Sequence, residues 1–346
     1  RGARTPPPGP AWGLGTAPRG DATLHHGRIA VFGSLNVDLV TRLERFPSPG
    51  ETVAARDFSM YPGGKGANQA VACGKLGAEV AMYGMTGADA LAERLHASLT
   101  EAGVTTAAMR RLDGVATGTA DIWVDGSGEN MIAIAAGANG RVDARYVDEH
   151  ASSLAEAAYL LLQLEVPIDS LAYLLERLPS EAGPRVILDP APARSLDALP
   201  RGRVWMLTPN EHELAALTGK ATDGEREVRA AASALAERTG AEHVLVKAGA
   251  RGAFLCSSER FEAVPGFDVD AVDTTAAGDA FNGALAAALS GAAGDRTELP
   301  AAMRFAHAAA AIAVTRAGAQ PAMADRAEVE AFLERHESDP SERSRG

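Results

Sequence analysis

The sequence predicts an α/β protein: a mostly parallel sheet with helices on both faces, and a small, separate β layer placed over the edge where the strands end. Three observations carry this reading. From Arg28 onward, short apolar runs closed by turn residues alternate with stretches of helical spacing, the rhythm of strands joined by crossover helices. Two stretches break that rhythm. Residues 51–61 (ETVAARDFSMY) and 118–137 (GTADIWVDGSGENMIAIAAG) look like alternating strands, and the second contains DGSGEN, a hairpin signal. At 346 residues the chain is long enough for one large domain with such an appendage.

In chain order, the Pro- and Gly-rich residues 1–27 have no apolar core of a secretory leader and read as a disordered extension. RIAVFGS at 28–34 is a strand ending in Gly-Ser. GANQAVACGKLG has helical spacing and stops at Gly77, whose lack of a Cβ suits a helix C-terminus. AEVAMYG is the next strand and DALAERLHASLTEAG the next amphipathic helix. AYLLLQL, RVILDP, RVWMLTPN and EHVLVKAG follow as strands closed by turn residues, most of them separated by helical stretches. In AVDTTAAGDAFNGALAAAL, residues 271–289, Phe281, Ala284, Leu285, Ala288 and Leu289 fall on one helix face. The expected division is 28–40, 63–115 and 138–335 for the larger domain, 41–62 and 116–137 for the β layer, and 336–346 for a disordered tail.

Net charge is −12, and no Lys/Arg-rich block is present, so neither nucleic acid nor an anionic membrane is an expected partner. A locally positive pocket on an acidic protein still leaves room for a nucleotide. Cys73 and Cys256 lie far apart in apolar contexts, which argues against a disulfide framework and for a reducing cytoplasm. No apolar run approaches the ~18 residues of a membrane span.

Four stretches hold residue types suited to chemistry. In GSLNVDLV a strand ends and Asn36 and Asp38 follow on one side of an extended chain, either as a turn or as a bidentate grip on adjacent hydroxyls. In YPGGKGANQ, Gly63, Gly64 and Gly66 allow close backbone approach to a ligand at a helix start, beside the charge of Lys65 and the amide of Asn68. It is neither the P-loop nor the dinucleotide pattern. In MLTPNEHEL, Asn210 and Glu213 stand three apart, as a capping box does, and the pair can also face a hydrated Mg²⁺. In DTTAAGDAF, Ala276, Ala277 and Gly278 present amides at a helix N-terminus, a place suited to developing negative charge. Asp279 follows, either as an acid favouring the helix dipole or as a base beside those amides, with Asp273 upstream as a cation ligand. VKAGARGAF adds a glycine-punctuated turn able to lie against a planar ring.

With these stretches in this order, the chain resembles the ribokinase (phosphofructokinase-B) family of carbohydrate kinases from about Arg28 to about Leu333. Both family signatures are present, GGKGANQAVACGKLGAEVAMYGMTG and DTTAAGDAFNGAL, and LLQLEVP, LDPAPAR, TPNEHEL and RFAHAAAAIAVTRAGAQP are similar as well. The resemblance implies a three-layer α/β/α fold with a β-sheet lid, a homodimer formed through the lids, and transfer of the ATP γ-phosphate to the 5-hydroxyl of D-ribose. By matching motif it implies that Asn36, Asp38, Gly64, Lys65, Gly66, Asn68 and Glu165 hold the sugar. Asp279 would be the base, and the amides of Ala276, Ala277 and Gly278 the anion hole. ATP would meet Asn210, the turn carrying Lys247, Gly249, Arg251 and Gly252, then Gly278 and His307, with Glu213 organising Mg²⁺. K⁺ would lie against Asp273, Thr275, Ala313, Arg316 and Gly318, largely through backbone carbonyls. The family often has a serine after Gly-Ala-Gln-Pro, where this chain has Ala322.

Fructokinase and 2-keto-3-deoxygluconate kinase relatives commonly have Gly-Gly-Ala where this chain has Gly64-Lys65-Gly66, which favours ribose over those acceptors. Deoxyribose, another sugar or a nucleoside are the competing acceptors within the family. Outside it stand a non-catalytic sugar or nucleotide sensor on the same fold, which has no need of Asp279, and a nicotinamide oxidoreductase, whose strand-linked G-x-G-x-x-G is missing.

Overall fold

The computed structural model describes residues 27–258, 260–292 and 298–337. The expected extension, residues 1–27, lies outside them but for Gly27. Along the chain come β1 (Ile29–Phe32), β2 (Asn36–Arg42), β3 (Asp57–Gly63), α1 (Lys65–Lys75), β4 (Val80–Tyr83), β5 (Met85–Gly87) and α2 (Ala90–Glu101). Next are β6 (Arg110–Leu112), β7 (Gly118–Val124), β8 (Asn130–Ala135), α3 (Ala144–Ala155), β9 (Tyr159–Gln163), α4 (Ile168–Arg177) and β10 (Arg185–Asp189). The C-terminal half adds β11 (Met206–Leu207), α5 (Glu211–Thr218), α6 (Glu225–Thr239), β12 (His243–Lys247), β13 (Ala253–Cys256), β14 (Phe261–Val264), α7 (Ala277–Ala287), α8 (Leu299–Val314) and α9 (Arg326–Glu337).

Eight strands form the main sheet in the order β14-β13-β12-β11-β10-β9-β1-β4. From β4 to β12 every pairing is parallel, with Ile29 of β1 opposite Val80 on one side and Tyr159 on the other. The last two pairings are antiparallel because short turns, not crossover helices, join those strands. Side chains alternate across the pleat. Ile29 and Val31 enter a core shared with α1, α2, α7, α8 and α9, while Ala30 and Phe32 enter a second core on the opposite face with α3, α4, α5 and α6. Near-continuous apolar strands are what burial on both faces requires.

The second sheet has four strands in the order β3-β2-β7-β8, with β7 and β8 forming the expected hairpin. It extends beyond the expected segment 41–62, since β2 starts at Asn36 and β3 ends at Gly63. Residues 36–40 therefore belong to this sheet rather than to the larger domain: they pair with β3 on one side and β7 on the other. Residues 51–56 are not strand, and Glu51 is drawn instead to the Arg45 guanidinium and the Ser48 amide. The tail also begins later than 336, because α9 runs to Glu337 and the His336 ring stacks on Phe332 and lies edge-on to Phe267. The rest of the expected tail, from 338, lies outside the described residues. Among the described residues no helix is long and apolar enough to cross a membrane, and Cys73 and Cys256 are both free and buried.

One close crossing positions the chemistry. A Cβ on Gly283 would lie 2.5 Å from the Ala72 Cβ, so the glycine lets α7 settle directly onto α1. The first turn of α7 is thereby brought against Asn68 and Gln69 of α1.

Candidate active site

A cavity of about 470 Å³ opens at the carboxyl ends of the main-sheet strands, where open parallel sheets hold their ligands. Of the expected residues, Lys65, Asn210, Glu213, Lys247, Gly249, Ala276, Ala277, Gly278, Asp279 and His307 line it. Those residues come from five separate stretches of chain, so the fold, not local sequence, assembles the site.

Asp279 lies in the first turn of α7, buried, with Oδ2 accepting from Asn68 Nδ2 at 3.0 Å and Oδ1 from Gln69 Nε2 at 3.1 Å. Burial pushes its pKa up, and Asp189 adds to the effect, against the pull of the Lys65 charge and of the two amide donors. The result is a carboxylate held in place but more basic than a surface aspartate. Lys65 stands beside it. Burial disfavours its charge, but the surrounding Asp279, Asp189, Glu165 and Glu213 more than compensate and hold the ammonium protonated.

At the α7 start Ala276 adopts a left-handed conformation, φ 61°, unusual for a residue with a Cβ. Ala276, Ala277 and Gly278 all line the cavity there, at a helix start whose first amides have no intrahelical acceptor. The Ala277 amide already donates to the Thr274 carbonyl at 3.2 Å, so this one of the three expected anion-hole donors is engaged within the chain.

The sugar-side residues gather next to Lys65. Asn36 and Asp38 project from β2 and are both buried. Asn36 Oδ1 accepts from Asn139 Nδ2 at 2.7 Å, which orients its amide. The Asp38 carboxylate straddles Gly63: a Cβ there would sit 2.5 Å from each carboxylate oxygen. Burial, with repulsion from Glu165 and Asp279, raises the Asp38 pKa from 3.8 to about 7. Glu165 follows β9 and accepts from the Ser34 hydroxyl and from the Lys65 backbone amide. Gly64 has φ 86°, and a Cβ there would meet the Asn36 amide at 2.6 Å. At Gly66 a Cβ would meet the Ser34 amide at 2.7 Å, so these glycines are required by close backbone packing between the β1–β2 connection and the start of α1.

On the opposite side, Asn210 and Glu213 form the capping box of α5 with both bonds at 2.8 Å, and Glu213 still faces the cavity. The structural and site-lining readings hold together. His307 packs edge-on against Phe281, and burial lowers its pKa to about 4, so it is a neutral imidazole at pH 7. The turn after β12 requires Gly252, whose Cβ would strike the Val264 carbonyl at 2.0 Å. Arg251 turns outward to Glu211 and does not line the cavity.

Asp273 lies upstream, its oxygens accepting from the Thr275 and Gly318 amides at 2.9 Å each. These bonds outweigh burial and keep its pKa low. They also tie the 273–275 loop to the end of α8, where the Arg316 amide donates to the Ala313 carbonyl. The five residues expected around K⁺ are thus neighbours. Ala322 is buried in a short turn.

Sequence reasoning missed the polar groups that link these parts. Gln69 Nε2 also reaches Asp189 Oδ2 at 3.2 Å, Gln163 Nε2 donates to Gln69 Oε1 at 2.7 Å, and Gln320 Nε2 donates to Asn68 Oδ1 at 3.2 Å. The available signal was their polarity within otherwise apolar runs: Asp189 closes RVILDP, and Asn68-Gln69 interrupts an alanine-rich helix face.

Three comparisons with known proteins bear on this site. The model of the pfkB family of carbohydrate kinases matches residues 27–326. The ribokinase of Haemophilus influenzae is 37% identical over 306 residues, covering 88% of this chain and 98% of that protein. The deoxyribokinase of Salmonella typhi is 38% identical over 259 residues, 75% of this chain and 84% of that one. Among solved structures, Arabidopsis thaliana ribokinase complexed with ribose and ATP superposes with a TM-score of 0.78 at 32% identity, covering 89% of this chain and 98% of that one.

Proposed function

This chain belongs to the pfkB family of carbohydrate kinases and is an ATP-dependent sugar kinase, and we propose that it transfers the γ-phosphoryl group of ATP to the 5-hydroxyl of D-ribose. The observation that carries the mechanism is the buried Asp279, clamped by Asn68 and Gln69 at an amide-rich helix start and facing a cavity shared with Lys65. Asp279 takes the proton of the acceptor hydroxyl, whose oxygen then bonds to the γ-phosphorus as the bond to the β-phosphate oxygen breaks. Amides at the start of α7 receive the charge of the migrating group. Asp38 and Glu165 accept from the remaining hydroxyls, while Asn36, whose Oδ1 already accepts from Asn139, offers its NH₂ to a hydroxyl oxygen.

Two cations fit the residues present. Among the described residues no cluster of three His, Cys, Asp or Glu could cage a metal. Mg²⁺ therefore suits this site as an ion carried on the nucleotide phosphates and touched through water by Glu213, where it would neutralise phosphate charge. K⁺ suits the Asp273 loop, with one ionised carboxylate and the carbonyls of Ala313, Arg316 and Gly318 beside it. Deoxyribose is the second reading, favoured by the Salmonella relative. The deciding measurement is sugar-dependent ADP release with ribose, 2-deoxyribose, fructose and adenosine, each with K⁺ or Na⁺ as the salt. Ribose is expected to give the highest kcat/KM, with turnover higher in K⁺. A better acceptor than ribose overturns the substrate, and equal rates in both salts overturn the K⁺ site.

The four-stranded sheet is proposed as the lid of this site and as a dimer interface. Its apolar side chains face solvent: Met131, Ile132 and Ile134 of the edge strand β8 are each more than half exposed, as is Phe58 of β3. Met131 and Phe58 share one face with Trp123, and Ile132 and Ile134 lie on the other, so the edge strand β8 exposes apolar side chains on both faces, as a strand that meets a partner does. Ile132→Asp should convert a dimer into a monomer in sedimentation, and a wild type that already sediments as a monomer defeats the assignment.

A further inference from the structure

Lys247 and Asp189 form an ion pair, Nζ to Oδ1 at 3.0 Å, with side chains only 12% and 2% exposed. It stands apart from surface pairs such as Arg316–Glu328 and Arg251–Glu211. Burying two charges rarely adds stability over an apolar pair, so the pair invites a functional explanation. Its position offers one. Lys247 ends β12 and Asp189 ends β10, on either side of β11, and both line the candidate active-site cavity. The ammonium stands directly over the first turn of α7: a Cβ on Gly278 would lie 3.2 Å from Nζ. Asp189 meanwhile accepts through its other oxygen from Gln69 Nε2, the same nitrogen that donates to Asp279 Oδ1. One carboxylate and one amide thus connect the cation above the helix start to the base within it.

We propose that Lys247 is a catalytic residue of the phosphoryl transfer, donating to the oxygens of the migrating group, and that Asp189 is the positioning residue that holds Lys247 there and, through Gln69, fixes Asp279. The proposal rests on the kinase reading above. Lys247 keeps its proton throughout. The hydroxyl proton goes to Asp279, and the electron pair of the broken bond leaves with ADP.

A purely structural role makes a different forecast. If Lys247 only neutralised Asp189, removing both charges together would restore turnover. Lys247→Met, Asp189→Asn and the double variant are therefore compared with wild type for melting temperature, sugar KM and kcat. Lys247→Met should lower kcat about 100-fold with the sugar KM little changed, the usual size for losing one transition-state donor. The double variant should regain the melting temperature that Lys247→Met loses, yet stay slow. Asp189→Asn should move the acidic limb of kcat, measured at saturating ribose so that Asp38 does not contribute, to lower pH, because the Asp189 charge is one cause of the raised Asp279 pKa. A double variant as fast as wild type overturns the catalytic role of Lys247. An unmoved acidic limb overturns the link from Asp189 to the base. A wild type that phosphorylates no sugar defeats the kinase reading, and this proposal falls with it, whereas the first two results leave that reading intact.

Discussion

Asp279→Asn is expected to cut turnover by a factor of about 10² to 10⁴ while leaving ribose and ATP affinity within a few-fold of wild type. The substitution keeps the shape and removes the proton acceptor. Its amide oxygen can still accept from either Asn68 or Gln69, but its NH₂ then faces the other donor, so one of the two clamping bonds is lost at a cost of about 1 kcal/mol. Removing a buried charge offsets that loss, since burial is the largest cause holding the Asp279 pKa up. A melting temperature near that of wild type, with turnover collapsed, is the expected pair of results. Coupled ADP release and calorimetry measure the two halves, and turnover within tenfold of wild type removes Asp279 from the base role.

The charge balance of the cavity explains why so much rests on cations. Its lining carries Asp189, Glu213 and Asp279 against Lys65 and Lys247, so the protein alone offers a polyphosphate a slightly negative wall. ATP entering without a counter-ion would meet repulsion in a site partly shielded from water, where screening is weak. On the proposed reading, amides at the start of α7 and the two ammonium groups would meet the reacting phosphate, and a divalent ion carried in with the nucleotide would cover the rest. Acceptor-side acids have the opposite logic, because a neutral sugar brings hydroxyl donors and needs acceptors.

The sequence disclosed the parts of this design whose signal is local. Apolar runs closed by turns located the strands of the main sheet, DGSGEN located the β7–β8 hairpin, and the glycine-bearing stretches with Lys65, Glu213, Lys247 and Asp279 located the charged lining of the cavity except Asp189. What escaped was pairing across the fold. The edge of the second sheet lay hidden because only Gly33-Ser34-Leu35 separates Asn36–Val40 from a main-sheet strand, too short a break to mark a change of sheet, and only its partners in β3 and β7 assign it. Asp189 and Gln69 meet at 3.2 Å across 120 residues of chain, a contact no spacing rule reaches. Lys247 was visible as part of a glycine turn, but its charge acquires meaning only beside Asp189 and the Gly278 backbone.

Asp38→Asn should raise the sugar KM by two to three orders of magnitude and, at alkaline pH, make the unliganded protein more stable. The first effect follows from exchanging a carboxylate that accepts from sugar hydroxyls for an amide that accepts with one group only. Each charged hydrogen bond lost costs about 1.5–3 kcal/mol. The second follows from linkage. Burial, then Glu165 and Asp279, lift the Asp38 pKa from 3.8 to about 7, so between those values the folded protein holds a proton the unfolded chain releases. Stability contributed by that proton is present below about pH 4 and is lost as pH rises through about 7, at a cost of up to about 4 kcal/mol above it. Asn bears no such cost, so the melting temperature of the variant should exceed that of wild type at pH 8, with the gap closing toward pH 4. In wild type the same titration should give kcat/KM for ribose an acidic limb near pH 7, since a protonated Asp38 is a poorer acceptor, and that limb should vanish in Asp38→Asn. A variant less stable than wild type at pH 8, or one that binds ribose equally well, shows that Asp38 is neither strained by its neighbours nor in contact with the sugar.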